Sequence, residues 1–194
     1  SASAHIDSWA VAVSAGITAG ALIAEAENNS GTAVEIDQGA QLTSDSESGS
    51  VTILSNKANT VSVAAHQVSD GLVSGSGMSA SASDTGSSVV TIGNGNTVKA
   101  DTLNVRAQTT SEMTAEVLGV GGGLLASGAL NFASIHSGTE GTHLRTEVIL
   151  GQDNTFAARE AAFEAEANVT QTMKMLALGI SGVVSGSGNN TDSQ

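Results

Sequence analysis

The chain has 194 residues, enough to bury a sizeable core as one or two domains, and carries a formal net charge of −13 with only six Lys or Arg. So few cations exclude the clustered positive charge that nucleic acid or an anionic membrane surface demands, and the absence of cysteine excludes disulfides and thiolate metal sites. With 23 Gly, no Pro, no Tyr, one Trp and three Phe, a core must be assembled from small aliphatic side chains, so stability has to come from repeated backbone hydrogen bonds and close layer packing.

In chain order, SASAHIDSW opens inside an alternating run, with no initiator Met and no basic leader, and the chain is read as a piece of something longer. An uncharged Gly tract, GITAGAL, begins at Gly16, and the block VEIDQGAQL follows from Val34. That block reads as strand, turn, strand: apolar first, third and ninth positions around a polar turn. SDSESG, Ser44 to Gly49, lengthens the next turn, and a period-two run then carries Val51, Ile53, Ser55, Val61 and Val63 on one face. Such alternation is the mark of half-buried strand.

The same three elements then recur. A second Gly tract, GLVSGSGM, starts at Gly71; VTIGNGNTV starts at Val90; Leu103, Val105, Ala107, Met113 and Ala115 repeat the alternating face. The third tract, GVGGGLLASGAL, starts at Gly119 and is followed by HSGTEGTH, which adds about six residues to a turn, and by VILGQDNTF from Val148. AAREAAFEAEA, Ala157 to Ala167, is rich in helix formers, but its columns Phe163, Ala165, Ala167, Met173 and Met175 align with the two earlier strands and it is read as strand. GISGVVSGSG from Gly179 begins a fourth copy. The units run approximately 16–70, 71–118 and 119–178, with a partial unit at 179–194.

These observations predict an all-β chain, a parallel β-helix (β-solenoid) of tandem units of about 56 residues, continuous over 1–194. Each unit would supply two or three coils, with Gly and Asn in left-handed corners. The absence of Pro fits, since central strands must donate their N–H groups. A row of small β-sandwiches would show Trp or Tyr cores that this composition lacks.

The run VTIGNGNTVKADTLNVRAQTTSEMTAEVLGVGGGLLASG resembles the repeat region of large bacterial filamentous adhesins, the leukotoxin-type and filamentous-haemagglutinin-like surface proteins. The resemblance covers essentially the whole chain. It implies an exported, elongated β-solenoid at the bacterial cell surface or secreted, used for display or attachment. The unpaired strand edges at both ends of a solenoid make other copies or adjacent units the expected end-to-end partners, with host-cell or surface glycans as further expected ligands.

Individual motifs point to no chemistry. Gly121 to Ala126 spells G-x-G-x-x-A, but a dinucleotide site needs a following helix and an acidic residue about 20 positions on; another Gly and a strand-like run follow instead. Val117 to Ile135 approaches the length of a membrane span, yet Gly, Ser and Asn dilute it and it recurs in every unit. As a recurring tract it predicts burial, its glycines bringing layers together. His136, Glu140 and His143 form a weak metal-like cluster, more simply a solvated loop. Asp37, Asp101, Asp153 and Asp192 sit near turns without the calcium-binding nonapeptide. No nucleophile elbow is present, and the triplets at Asn28, Asn168 and Asn189 are the chance yield of an Asn/Ser/Thr-rich chain. No catalytic, cofactor or metal residue is assigned and no membrane span is expected. The expected function is a non-catalytic adhesive segment of a surface filament. The alternative is a polysaccharide-binding or polysaccharide-degrading β-helix, disfavoured by scattered cations (Lys57, Lys99, Arg106, Arg145, Arg159, Lys174) and the absence of Tyr.

Overall fold

A computed structural model describes residues 1–44, 48–139 and 142–193. Among them every regular element is a strand: β1 (Ala2–Val13), β2 (Ile17–Asn28), β3 (Thr32–Ile36), β4 (Gln41–Thr43), β5 (Ser50–Asp84), β6 (Ser88–Ile92), β7 (Thr97–Thr139), β8 (Thr142–His143), β9 (Thr146–Leu150), β10 (Thr155–Ser181) and β11 (Val184–Ser193). The chain is all-β, built from parallel sheets; the short β8 alone pairs antiparallel, on β7. The larger sheet runs β1-β5-β7-β10, with β2 and β4 alongside β5 and β7 and β11 on β7; a second runs β3-β6-β9.

Parallel partners lie one sequence repeat apart. Thr32 faces Ser88 and Gln41 faces Thr97, an interval of 56, while Ser88 faces Thr146 and Thr97 faces Thr155, an interval of 58. These registers give one layer per interval of 56 or 58 residues, where two or three coils were expected. Between β5 and β7 the interval is 52, as Ser50 faces Thr102, because the sequence between Thr43 and Ser50 is four residues longer than that between Lys99 and Thr102. Residues 45–47, within the SDSESG stretch expected to lengthen a turn, lie outside the described residues. The sequence between Ser137 and Thr146 is likewise five residues longer than that between Asp84 and Ser88, where about six were expected.

One alignment is corrected. Phe163 faces Val105 and Ala165 faces Ala107, two positions from the columns the sequence suggests. A slip of one residue would have turned every side chain to the other face, whereas a slip of two preserves the face, so the pattern alone could not detect it. The helix-prone Ala157 to Ala167 is strand, as expected: hydrogen bonding along β7 outweighs small propensity differences.

Within a layer the chain runs out along one arm, reverses, and returns facing itself. In β5 the outward arm buries Val61, Val63 and Ala65 against Met78, Ala80 and Ala82 of the return arm. A second cluster joins Ile53, Leu103 and Val105 to Val90 and Ile92 of β6. Inward residues shrink towards the reversal. Val117 is followed at the inward positions by Gly119, Gly121 and Gly123, and a Cβ on Gly121 would lie 2.8 Å from the Gly128 carbonyl oxygen of the opposite arm. Gly179 meets Gly186 in the same way, at 2.7 Å. The glycines thus let two backbones touch where the interior tapers to nothing.

The turns between 92 and 97 carry a ladder. Asn96 Nδ2 donates to Gly93 O at 2.9 Å and its Oδ1 accepts the Ala40 N–H at 2.7 Å. Asn154 repeats this one layer on, donating to Gly151 O at 3.0 Å and accepting the Asn96 N–H at 2.8 Å. The left-handed corner residues are Gly39, Gly95 and Asp153, so Asn acts through its amide rather than its backbone, contrary to expectation. Asn96→Ala removes a donor and an acceptor together and is expected to cost about 1–3 kcal/mol, read as a lowered urea midpoint. Asp153→Gly at φ 58° relieves the left-handed cost and should raise stability by about 0.5–1 kcal/mol.

Candidate functional site

Between the two apolar clusters runs a buried polar seam. The alternation that places Ile53 inward continues through Ser55, Lys57 and Asn59, all buried. Lys57 is 1 % and Asp84 0 % exposed, and the ammonium donates to both carboxylate oxygens, at 2.8 and 2.9 Å, and to Gly86 O at 2.7 Å. Asn59 Nδ2 and the Gly86 N–H both donate to Asp84 Oδ1, at 3.0 and 3.3 Å, and the Ser111 hydroxyl donates to Oδ2. Every donor of Lys57 is satisfied, as a charge pair out of water requires. Ser55, Ser88 and Thr32 hydroxyls extend the seam at 2.9 Å from one to the next. The pair occurs in one layer: Thr109 and Ser137 occupy the positions of Lys57 and Asp84 in the next.

The outer face of β5, β7 and β10 holds a groove of about 460 Å³ lined by Thr52, Leu54, Asn104, Arg106, Gln108 and Glu164. Arg106 bridges Glu164 at 3.5 Å and pairs with Glu166. Hydrogen bonds from Asn168 and then Arg106 hold the Glu166 carboxyl below its usual range. Arg159 ties its layer to the one before through a two-point pair with Asp101, at 2.8 and 2.9 Å, and this hydrogen bonding lowers the Asp101 carboxyl. These exposed pairs add little stability; they occupy the cations that a polyanionic ligand would need.

The third distinctive surface is the reversal itself. Leu124 is 67 % and Leu125 51 % exposed, and Leu72, Val73, Val183 and Val184 are exposed at the same place in neighbouring layers. Trp9 stacks on His66 with ring centroids 4.4 Å apart on the outer face behind it, and Leu130 and Phe132 stand exposed on the return arm. The expectation that the uncharged tract is buried is therefore half met: Gly119, Gly121, Ala129 and Ala133 are buried, but the residues at the turn point outwards.

Among the described residues the remaining candidates do not converge. The residues after Gly121 form strand, not the helix that a phosphate site requires. Asp37 and Asp153 lie in turns, Asp101 is paired with Arg159, and Asp192 lies in β11 opposite Ser134. His136 stands opposite Ser83, while Glu140 and the side chain of His143 lie outside the described residues. Among the described residues no group of three or more His, Asp or Glu could hold a metal ion, and no helix is long and apolar enough to cross a membrane. Sequence reasoning passed over the Lys57 and Asp84 pair, although the alternation, followed two residues beyond Ser55, marks Lys57 as inward. No protein-family model, curated protein or solved structure matches the chain.

Proposed function

We propose that the chain is a β-solenoid of tandem units of about 56 residues, serving as a non-catalytic structural and adhesive segment of an exported bacterial surface protein or extracellular filament. The observation that carries this reading is the agreement between sequence repeat and pairing interval: Val34, Val90 and Val148 begin the three repeated blocks and stand side by side in β3, β6 and β9. A unit of this kind buries its layer faces only against neighbours, so adding units lengthens the body without a new core. Among the described residues β1 and β2 pair only towards β5, and β10 and β11 only towards β7. Those outer edges suit a covalently adjoining unit or another copy stacked end to end. Electron microscopy of purified protein tests this: rods that lengthen with concentration are expected, and compact particles at every concentration contradict it.

A second reading, a polysaccharide-binding or polysaccharide-degrading β-helix, is favoured by the groove carrying Asn104, Arg106 and Gln108. Binding on a glycan array that disappears in Arg106→Ala and Gln108→Ala would select it; an array without signal would leave the structural reading.

A further inference from the structure

We infer that the apolar ridge at the chain reversal is a lateral docking edge for a second copy of this chain, two ridges packing side by side about a two-fold axis. The ridge carries Leu72, Val73, Leu124, Leu125, Val183 and Val184, drawn from three successive layers in one line. Leu72 and Leu124 belong to interior layers, so their exposure is not a consequence of lying at an end of the stack.

Charge identifies the occupant. At the reversal ends of the four layers, Ser8 to Ala24, Ala65 to Ser83, Val117 to Thr139 and Met175 to Thr191, Asp70 is the one Asp, Glu, Lys or Arg. A chain of net charge −13 meets a copy of itself with least repulsion at this end, where each partner brings one carboxylate, Asp70 opposite Gly122. The same end offers no cation to anionic lipid headgroups.

Shape supports the same partner. Beside the ridge, on the return arm, an open trough of about 430 Å³ is lined by Gly75, Ser76, Gly128, Ala129, Leu130 and Gly186. Unlike Gly121 and Gly179, the trough glycines are not required by the chain's own packing. A Cβ on Gly75 or Gly186 would meet nothing within 4 Å, and one on Gly128 only the Gly186 carbonyl oxygen at 3.7 Å; none has a positive φ. Ridge and trough lie a few residues apart on each copy, so the leucines of one partner fill the trough of the other and the contact is self-complementary, as a two-fold interface demands.

Sedimentation velocity across a concentration series tests the proposal, with wild type compared against Leu124→Ser/Leu125→Ser and Gly128→Val. A lateral dimerisation step is expected in the wild type, superimposed on any end-to-end growth, with its dissociation constant raised at least about tenfold in each variant while circular dichroism and the unfolding midpoint stay at or above wild type. Gly128→Val keeps the ridge intact and only fills the trough, so it separates docking from general surface polarity. A wild-type chain that is monomeric throughout, or variants that dimerise as tightly as wild type, would overturn the proposal. Pelleting with neutral phosphatidylcholine vesicles, abolished by the leucine changes while the protein sediments as a monomer, would overturn it in favour of lipid. End-to-end stacking gives open-ended growth indifferent to these substitutions, so failure of that reading and failure of this one are distinguishable.

Discussion

Lys57→Met is expected to destabilise the protein by about 3–5 kcal/mol, because it removes one member of a fully buried ion pair and leaves the Asp84 carboxylate without a counter-charge. Methionine nearly preserves the volume, so the loss is electrostatic rather than a cavity. Lys57→Met/Asp84→Asn should recover most of it: the Asn oxygen still accepts from Asn59 and the Gly86 N–H, and the amide takes the place of the carboxylate beside Ser111. Urea midpoints of wild type, both single variants and the double variant complete the cycle. Additive losses would show that the pair does not act as a unit. The seam lies between the two apolar clusters, so an unpaired charge there also loosens the join between the arms.

The second large effect concerns the tract at the reversal. Gly121→Val pushes a branched side chain into the backbone of the opposite arm, 2.8 Å from the Gly128 carbonyl already at Cβ, and is expected to cost about 3 kcal/mol, the upper part of the overpacking range. Gly128→Ala, seven residues on, adds a Cβ whose nearest neighbour is 3.7 Å away. It should stabilise the monomer by about 0.4–1 kcal/mol by restricting the unfolded chain. Opposite signs within one tract, measured by chemical denaturation at low protein concentration, would establish that its glycines serve two purposes. Equal losses at both positions would contradict the tapering interior.

How much of this was legible in the sequence follows from what a period-two pattern records. It records faces, so the inward series from Val61 to Ala65 and from Leu103 to Ala107 is read directly, and the repeated blocks at Val34, Val90 and Val148 give the register of β3, β6 and β9. It records register only modulo two, so a shift by two residues is invisible to it, and Phe163 aligns by pattern with Leu103 although it faces Val105. Nor does it say how many layers a unit builds: the Gly tract is an equally good joint between short coils or reversal of one long course. Burial of the tract was inferred from its lack of charge, and Leu124 and Leu125 depart from that because a chain that reverses must present its turn to the outside. The Lys57 and Asp84 pair was hidden because lysine is ordinarily a surface residue, and only a known arm-to-arm pairing brings Asp84 to it.

Successive passes of the chain lie as parallel layers in one specific register, and the cysteine-free sequence makes that register directly measurable. Thr52 faces Asn104, an interval of 52, whereas a strict 56-residue repeat would set Thr52 against Gln108. Parallel neighbours lie about 4.8 Å apart, within the range a disulfide spans. Under mild oxidation, Thr52→Cys/Asn104→Cys is expected to crosslink rapidly and Thr52→Cys/Gln108→Cys to stay reduced. Crosslinking of the second pair in preference to the first, or of neither, would contradict the layered register on which this account rests.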